Sequence, residues 1–195
     1  MSAKVVIAGG FGVGKTTFVG SCSEIDPLRT EASMTSAAAD VDDTSKVSTK
    51  TTTTVAMDFG RITIDEEMVL FLFGTPGQER FGFMWDDLIV GALGATVLVD
   101  SRRLADSFYA VDYFESRNIP FIVAVNRFDG ELAHSLDAVR GALRVSENVP
   151  VVEVDARDRE SVKLALLTLF EVVLERLLAE AEGAANGSEL AATNS

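Results

Sequence analysis

Gly9-Gly10-Phe11-Gly12-Val13-Gly14-Lys15-Thr16 follows without a break on the apolar run Lys4-Val5-Val6-Ile7-Ala8. The octet satisfies the spacing G-x-x-x-x-G-K-[ST]. Glycines there let the backbone curl, so that successive N–H groups point inward and form an anion nest at a helix N-terminus. Lys15 supplies an ammonium for the outer phosphates of a bound nucleotide, and the Thr16 hydroxyl is a ligand type suited to Mg²⁺. Thr17 opens the following helix, and Phe18-Val19 give it an apolar face. The strand–turn–helix context that this motif requires is therefore present.

Working outward, the next informative feature is a stretch that lacks a pattern. Glu24 to Thr53 is rich in Ser, Thr, Ala and Asp with no sustained apolar period, and structureless stretches of this length inside a domain are usually functional or disordered. Beyond it, Val55–Ile64, Met68–Phe73, Ala95–Val99, Pro120–Val125 and Pro150–Val154 read as strands, the first two forming a hairpin across Asp65-Glu66-Glu67. Helical segments are expected around Phe83–Val90, Leu104–Arg117 and Ser135–Val145, with a last helix over about Asp158–Glu182. That helix is expected to bury Val162, Leu166, Leu169, Phe170, Val173 and Leu177 on one face and to take Asp158 as its N-cap. Residues 183–195 are Ala-, Asn- and Ser-rich and are expected to be a disordered tail, leaving residues 1–182 as the domain. Strands alternating with helices predict an α/β fold: a doubly wound, mostly parallel six-stranded sheet with one antiparallel edge strand. Its ligand belongs beyond the carboxyl ends of the strands.

Composition narrows the partners. The 195 residues are 47% hydrophobic and 24% charged, with a formal net charge of −13. That acidity argues against nucleic acid or an anionic membrane as main partner. Cys22 is the single cysteine and cannot form an internal disulfide, as expected of a cytoplasmic protein. No export signal is visible, and Ser2 and the C-terminal residues offer no lipidation motif. A direct membrane anchor is therefore not expected. His134, the only histidine, reads as a surface or capping residue.

Three further stretches carry a resemblance. Phe73-Gly74-Thr75-Pro76-Gly77-Gln78-Glu79-Arg80-Phe81 resembles the second switch of Ras-like small GTPases. Asn126-Arg127-Phe128-Asp129 resembles their N-K-x-D guanine-reading motif, and Asp155-Ala156-Arg157 stands where they carry S-A-K. Within that class, Thr51-Thr52-Thr53-Thr54-Val55-Ala56-Met57-Asp58-Phe59-Gly60 and Gly74-Thr75-Pro76-Gly77-Gln78 look closest to bacterial MglA-like GTPases, especially the conservon type of actinomycetes.

The resemblance implies a P-loop NTPase fold that binds GTP and GDP with Mg²⁺. In it, Gly9, Phe11, Gly12, Val13, Gly14, Lys15, Thr16 and Thr17 cradle the phosphates, and Gly77 presents its N–H to the γ-phosphate. Gln78 orients the attacking water, with Lys15 neutralising charge. Asn126, Arg127 and Asp129 read guanine, and Asp155, Ala156 and Arg157 close over the base. Asp129 would accept from both the guanine N1–H and the 2-amino group, a donor pair that adenine lacks. Thr16 and Thr54 are the expected metal ligands, with Thr53 the alternative within the run of threonines. A roadblock-type protein acting as activator or effector is the implied partner at the switch surface of Phe81, Phe83 and Trp85. Packing of those aromatics as core under the next helix is the competing reading.

Two positions depart from the pattern. Gly74 stands where most of the family carries an Asp that holds Mg²⁺ through water, so replacing it by Asp is expected to tighten Mg²⁺ binding. Phe11 stands where a small residue is common, and its ring is expected to crowd Gln78 and slow hydrolysis. No arginine finger is assignable, Arg80 and Arg29 being candidates in cis. The expected activity is slow GTP hydrolysis by a nucleotide-dependent switch. A non-hydrolysing guanine-nucleotide module and an ATP-dependent P-loop kinase or ATPase are the alternatives.

Overall fold

Backbone hydrogen bonding joins the strands of the described residues into one sheet. The structure, a computed structural model, describes residues 1–26, 28–35, 52–77, 81–128 and 130–193, with backbone alone at 28–35, 52–56 and 184–193. In chain order the elements are β1 (Ser2–Gly9), α1 (Lys15–Cys22), β2 (Leu28–Thr35), β3 (Thr52–Thr63), β4 (Val69–Gly74), α2 (Phe83–Ile89) and β5 (Gly94–Val99). A 3-10 turn (Leu104–Ser107) follows, then α3 (Phe108–Ser116), β6 (Phe121–Asn126), α4 (Leu136–Leu143), β7 (Val151–Val154) and α5 (Arg159–Thr193). The sheet order is β2-β3-β4-β1-β5-β6-β7.

The six expected strands are all present, five of them mutually parallel. β3 runs antiparallel to β4. The edge differs from expectation. β2, drawn from the stretch without apolar period, pairs antiparallel along β3 from Leu28↔Phe59 to Thr35↔Thr52. The sheet therefore has seven strands, and the antiparallel β3 lies one place in from the edge.

Both faces of the central strands are covered, which explains their unbroken apolar runs. Val5 and Ile7 point to one side, with Phe18, Leu72, Leu98, Ile122 and Leu169. Val6 and Ala8 point to the other, with Trp85, Val97, Phe114, Val123 and Val139. Cys22 lies in the first core, and burial pushes its thiol up to about 11, as a packing residue and not a nucleophile.

α5 starts as expected: Asp158 Oδ1 and Oδ2 accept from the Glu160 and Ser161 backbone N–H groups at 3.2 and 3.3 Å. Val162, Leu166, Leu169 and Val173 are buried and Phe170 is half-buried, but Leu177 is exposed, together with Leu164, Leu167, Leu174 and Leu178. The helix continues to Thr193, beyond the expected end at Glu182. Alanine, the strongest helix former, is the commonest residue of that extension. Among the described residues no helix is long and apolar enough to cross a membrane.

Candidate functional site

The turn after β1 has the conformation its glycines imply. Gly9, Gly12 and Gly14 take φ of 134°, 73° and 107°, values that L side chains rarely adopt. Close approach adds a second constraint: a Cβ on Gly14 would lie 2.7 Å from Asn126 Nδ2, and one on Gly9 2.3 Å from the Leu98 carbonyl oxygen. Val13 is buried behind the loop. The carboxyl ends of β1, β5 and β6 thus meet at this loop.

A cavity of about 410 Å³ opens there, lined by Phe11, Gly12, Gly14, Lys15, Thr16, Thr17, Asp58, Thr75 and Gly77. The structure therefore brings together most of the residues expected at the phosphate end. Lys15 is buried, and its Nζ donates to the Gly9 and Gly10 carbonyls at 2.8 and 2.7 Å. Burial lowers its pKa to about 8, partly opposed by the Asp58 carboxylate. Gly77 lies against the loop, since a Cβ there would sit 2.7 Å from Lys15 Nζ and 2.8 Å from Phe11 Cα. Phe11 is 68% exposed, its ring at the rim. Gln78, which that ring was expected to crowd, lies outside the described residues, as does the candidate finger Arg80. Arg29 and Thr54 are described by backbone only, with Thr54 opposite Ser33 and Thr53 opposite Met34.

Two residues of this cavity escaped the sequence reading. Asp58, on β3, is buried and its Oδ2 accepts from Thr16 Oγ1 at 2.7 Å. It is the direct partner of Gly74 across the β3–β4 pair. A Cβ on Gly74 would lie 2.9 Å from Asp58 Cβ and 3.0 Å from its Oδ2. The space that an aspartate side chain on β4 would fill is thus taken by a carboxylate from the neighbouring strand, so the side chain introduced by Gly74→Asp would meet Asp58 there. Thr75 is the other: buried, with its Oγ1 lacking a hydrogen-bond partner among the described residues. Among those residues no three His, Cys, Asp or Glu side chains converge. A cation here would therefore have the Thr16 hydroxyl, the Asp58 carboxylate and phosphate oxygens as donors, a hard-oxygen set suited to Mg²⁺.

Asn126 ties the base end to the phosphate end. Its Nδ2 donates to the Val13 carbonyl at 2.9 Å, and its Oδ1 accepts from the Ala156 N–H at 3.1 Å. The N–H of Ala156, a residue the resemblance sets over the base, is thus used by Asn126 in this structure. Arg157 folds back on Asp155 with a bidentate pair at 2.9 and 2.9 Å, and those bonds lower the carboxyl pKa to about 2. Arg127 Nη1 is 3.2 Å from Glu153 Oε1. Asp129 lies outside the described residues. A cavity of about 260 Å³ beside this loop is lined by Asp100, Arg102, Asn126 and Phe128 among others. A cavity of about 830 Å³ lies at the other end of the sheet near Phe121 and is lined by none of the motif residues.

The aromatics after the second switch divide. Trp85 is buried against Tyr109, Tyr113 and Phe114, and its Nε1 donates to the Pro76 carbonyl at 3.4 Å. It belongs to the core and not to the expected partner surface. Phe83 is exposed and Phe81 half-buried.

A glycine-lined phosphate loop at the carboxyl edge of a mostly parallel sheet defines a P-loop fold of G-domain-like architecture. The chain belongs to the family described as "Conserved hypothetical ATP binding protein", whose model matches residues 7–176. An uncharacterized protein of Methanocaldococcus jannaschii is 32% identical over 128 residues, covering 65% of this chain and 70% of that one. Translation initiation factor IF-2 of Acinetobacter baumannii is 31% identical over 138 residues, covering 63% of this chain but only 15% of the factor. The FeoB G-domain from Methanococcus jannaschii superposes with a TM-score of 0.56 at 16% identity, over 88% of this chain and 98% of that one.

Proposed function

We propose that the protein is a guanine-nucleotide switch that hydrolyses GTP slowly. The observation that carries this reading is Asn126, which links Val13 of the phosphate loop to Ala156 of the next turn. That link holds Asn126, the first residue of Asn126-Arg127-Phe128-Asp129, against the phosphate loop, and in this reading the Asp129 carboxylate selects guanine. Lys15 and the N–H groups of Gly12 to Thr16 hold the phosphates. Gln78, next to Gly77, orients water for attack, and Gly77 senses the terminal phosphate. Mg²⁺ would neutralise the phosphate charge, with Thr16 and Asp58 as its described holders and Thr54 as the switch ligand.

Loss of the terminal phosphate releases Gly77 and changes the affinity for a partner, by resemblance a roadblock-type protein of the cytoplasm, at a surface that includes Phe81 and Phe83. MglA-like and conservon-type membership is part of this proposal. The family's description names ATP, and an ATP-dependent P-loop enzyme is accordingly the second reading.

Single-turnover assays with GTP and with ATP test the chemistry. GTP cleavage that is slow and further reduced in Gln78→Leu supports the switch. Cleavage of ATP alone supports the second reading, and cleavage of neither supports a non-hydrolysing module. Trp85, the single tryptophan, hydrogen-bonds Pro76 of the switch loop. Its emission should differ between the GDP state and a state with a non-hydrolysable GTP analogue.

A further inference from the structure

Asp100, directly after β5, is a buried carboxylate that none of the nucleotide motifs uses. It holds two arginines. Arg102 donates from Nε to Oδ1 at 2.8 Å and from Nη2 to Oδ2 at 2.9 Å, a bidentate pair. Arg103 donates from Nε to Oδ2 at 3.3 Å. Arg102 dominates in keeping the Asp100 carboxyl below the usual carboxylate range.

From this shared anchor the two guanidiniums diverge. Arg103 reaches the phosphate loop, where its Nη2 donates to the Phe11 carbonyl at 3.1 Å, and its Nη1 lies 3.5 Å from Asp106 Oδ2. Asp106 itself abuts the loop, since a Cβ on Gly10 would lie 2.7 Å from Asp106 Cβ. Arg102 lies over the Phe128 ring, its Cζ 4.3 Å from the ring centre, inside the base-reading motif.

The geometry has a direct consequence for the loop. Carbonyl and N–H of a trans peptide point in opposite directions. Fastening the Phe11 carbonyl toward Arg103 therefore turns the Gly12 N–H the other way, away from the guanidinium. Meanwhile Phe128 is held by the other arm, from the same carboxylate. Without Asp100 the two arginines would lose the carboxylate they share.

We propose that Asp100, Arg102 and Arg103 form a positioning brace that fixes the phosphate loop relative to the base loop, so that the two ends of a nucleotide are bound cooperatively. The proposal rests on the nucleotide-binding reading of the site but not on the identity of the base.

A double-mutant cycle tests it, run with whichever of GDP and ADP the intact protein holds more tightly. Arg102→Ala and Arg103→Ala should each weaken binding about tenfold, the scale of one lost charged hydrogen bond. The double variant should lose little more than either single variant, because breaking one arm already uncouples the loops. Asp100→Asn should resemble the double variant. Losses that multiply to about a hundredfold would overturn the brace. So would single variants that melt lower yet bind the nucleotide as tightly as the wild type. Binding of neither nucleotide by the intact protein would sink the nucleotide reading itself, whereas tight binding with independent arms would sink only the brace.

Discussion

Moving one carboxylate between two adjacent strands tests how the cation end of the site is built. Gly74→Asp puts a Cβ 2.9 Å from Asp58 Cβ and a second negative charge beside the first. Overpacking of this kind costs about 1–3 kcal/mol. At about 2–4 °C per kcal/mol for a chain of this size, the variant should melt roughly 2–12 °C lower. Asp58→Gly removes both the clash partner and the acceptor for Thr16 Oγ1. In that background the aspartate introduced by Gly74→Asp has room, so the exchange variant Asp58→Gly/Gly74→Asp should regain what Asp58→Gly loses. The assay is release of a fluorescent GDP in millimolar Mg²⁺ and in excess chelator. In the wild type the chelator should speed release; in Asp58→Gly most of that effect should vanish; in the exchange variant it should return. A Gly74→Asp protein as stable as the wild type, or an Asp58→Gly protein with the full chelator effect, would refute the reasoning.

Other outcomes follow from the same geometry. Lys15, lowered by burial to about 8, binds fewer protons in the empty folded protein than the usual 10.5 would give. The empty protein should therefore gain stability as pH rises from about 8 to 10.5. Phosphates restore the ammonium, so GDP binding at pH 8 should take up about half a proton, read by calorimetry in two buffers of different ionisation enthalpy; zero uptake would contradict the burial argument. Asn126→Ala leaves the Val13 carbonyl and the Ala156 N–H without their partner, at ~1–3 kcal/mol each. Denaturant unfolding should show that loss even without nucleotide. Gly14→Ala meets both a φ of 107° and Asn126 Nδ2 at 2.7 Å, so it should lose nucleotide binding and unfold at lower denaturant concentration.

What was legible in the sequence follows from how local each feature is. The phosphate loop is written in its own glycines, because the backbone conformation there excludes most other residues. The buried strands announce themselves as apolar runs, and Asp158 caps α5 from its own sequence neighbourhood. Asp58 could not be found that way. Its role depends on standing opposite Gly74 across a strand pair, and register between strands is not visible in either strand alone. A signal did exist: a carboxylate between the apolar residues Val55-Ala56-Met57 and Phe59, together with a glycine at the end of β4 where the Ras-like proteins it resembles mostly carry an acid. Leu28–Thr35 was read as irregular because an edge strand, paired on one side, needs no apolar alternation. Trp85, next to a switch, reads equally as partner surface or as core. Its burial comes from Tyr109, Tyr113 and Phe114, more than twenty positions away. The helix beyond Glu182 was not legible because residues 183–195, Ala-, Asn- and Ser-rich, have the composition of a disordered tail.

The central proposal is that Asp129, three positions after the Asn126 that is tied to the phosphate loop, makes this a guanine site within a family described by ATP. Displacement of a fluorescent GDP by GTP, GDP and ATP, in the presence of Mg²⁺, tests it most directly. The account predicts guanine preference of roughly 100-fold or more, about 2.7 kcal/mol, largely lost in Asp129→Ala. Equal displacement by ATP would contradict it and leave an adenine-nucleotide P-loop enzyme as the reading of this fold.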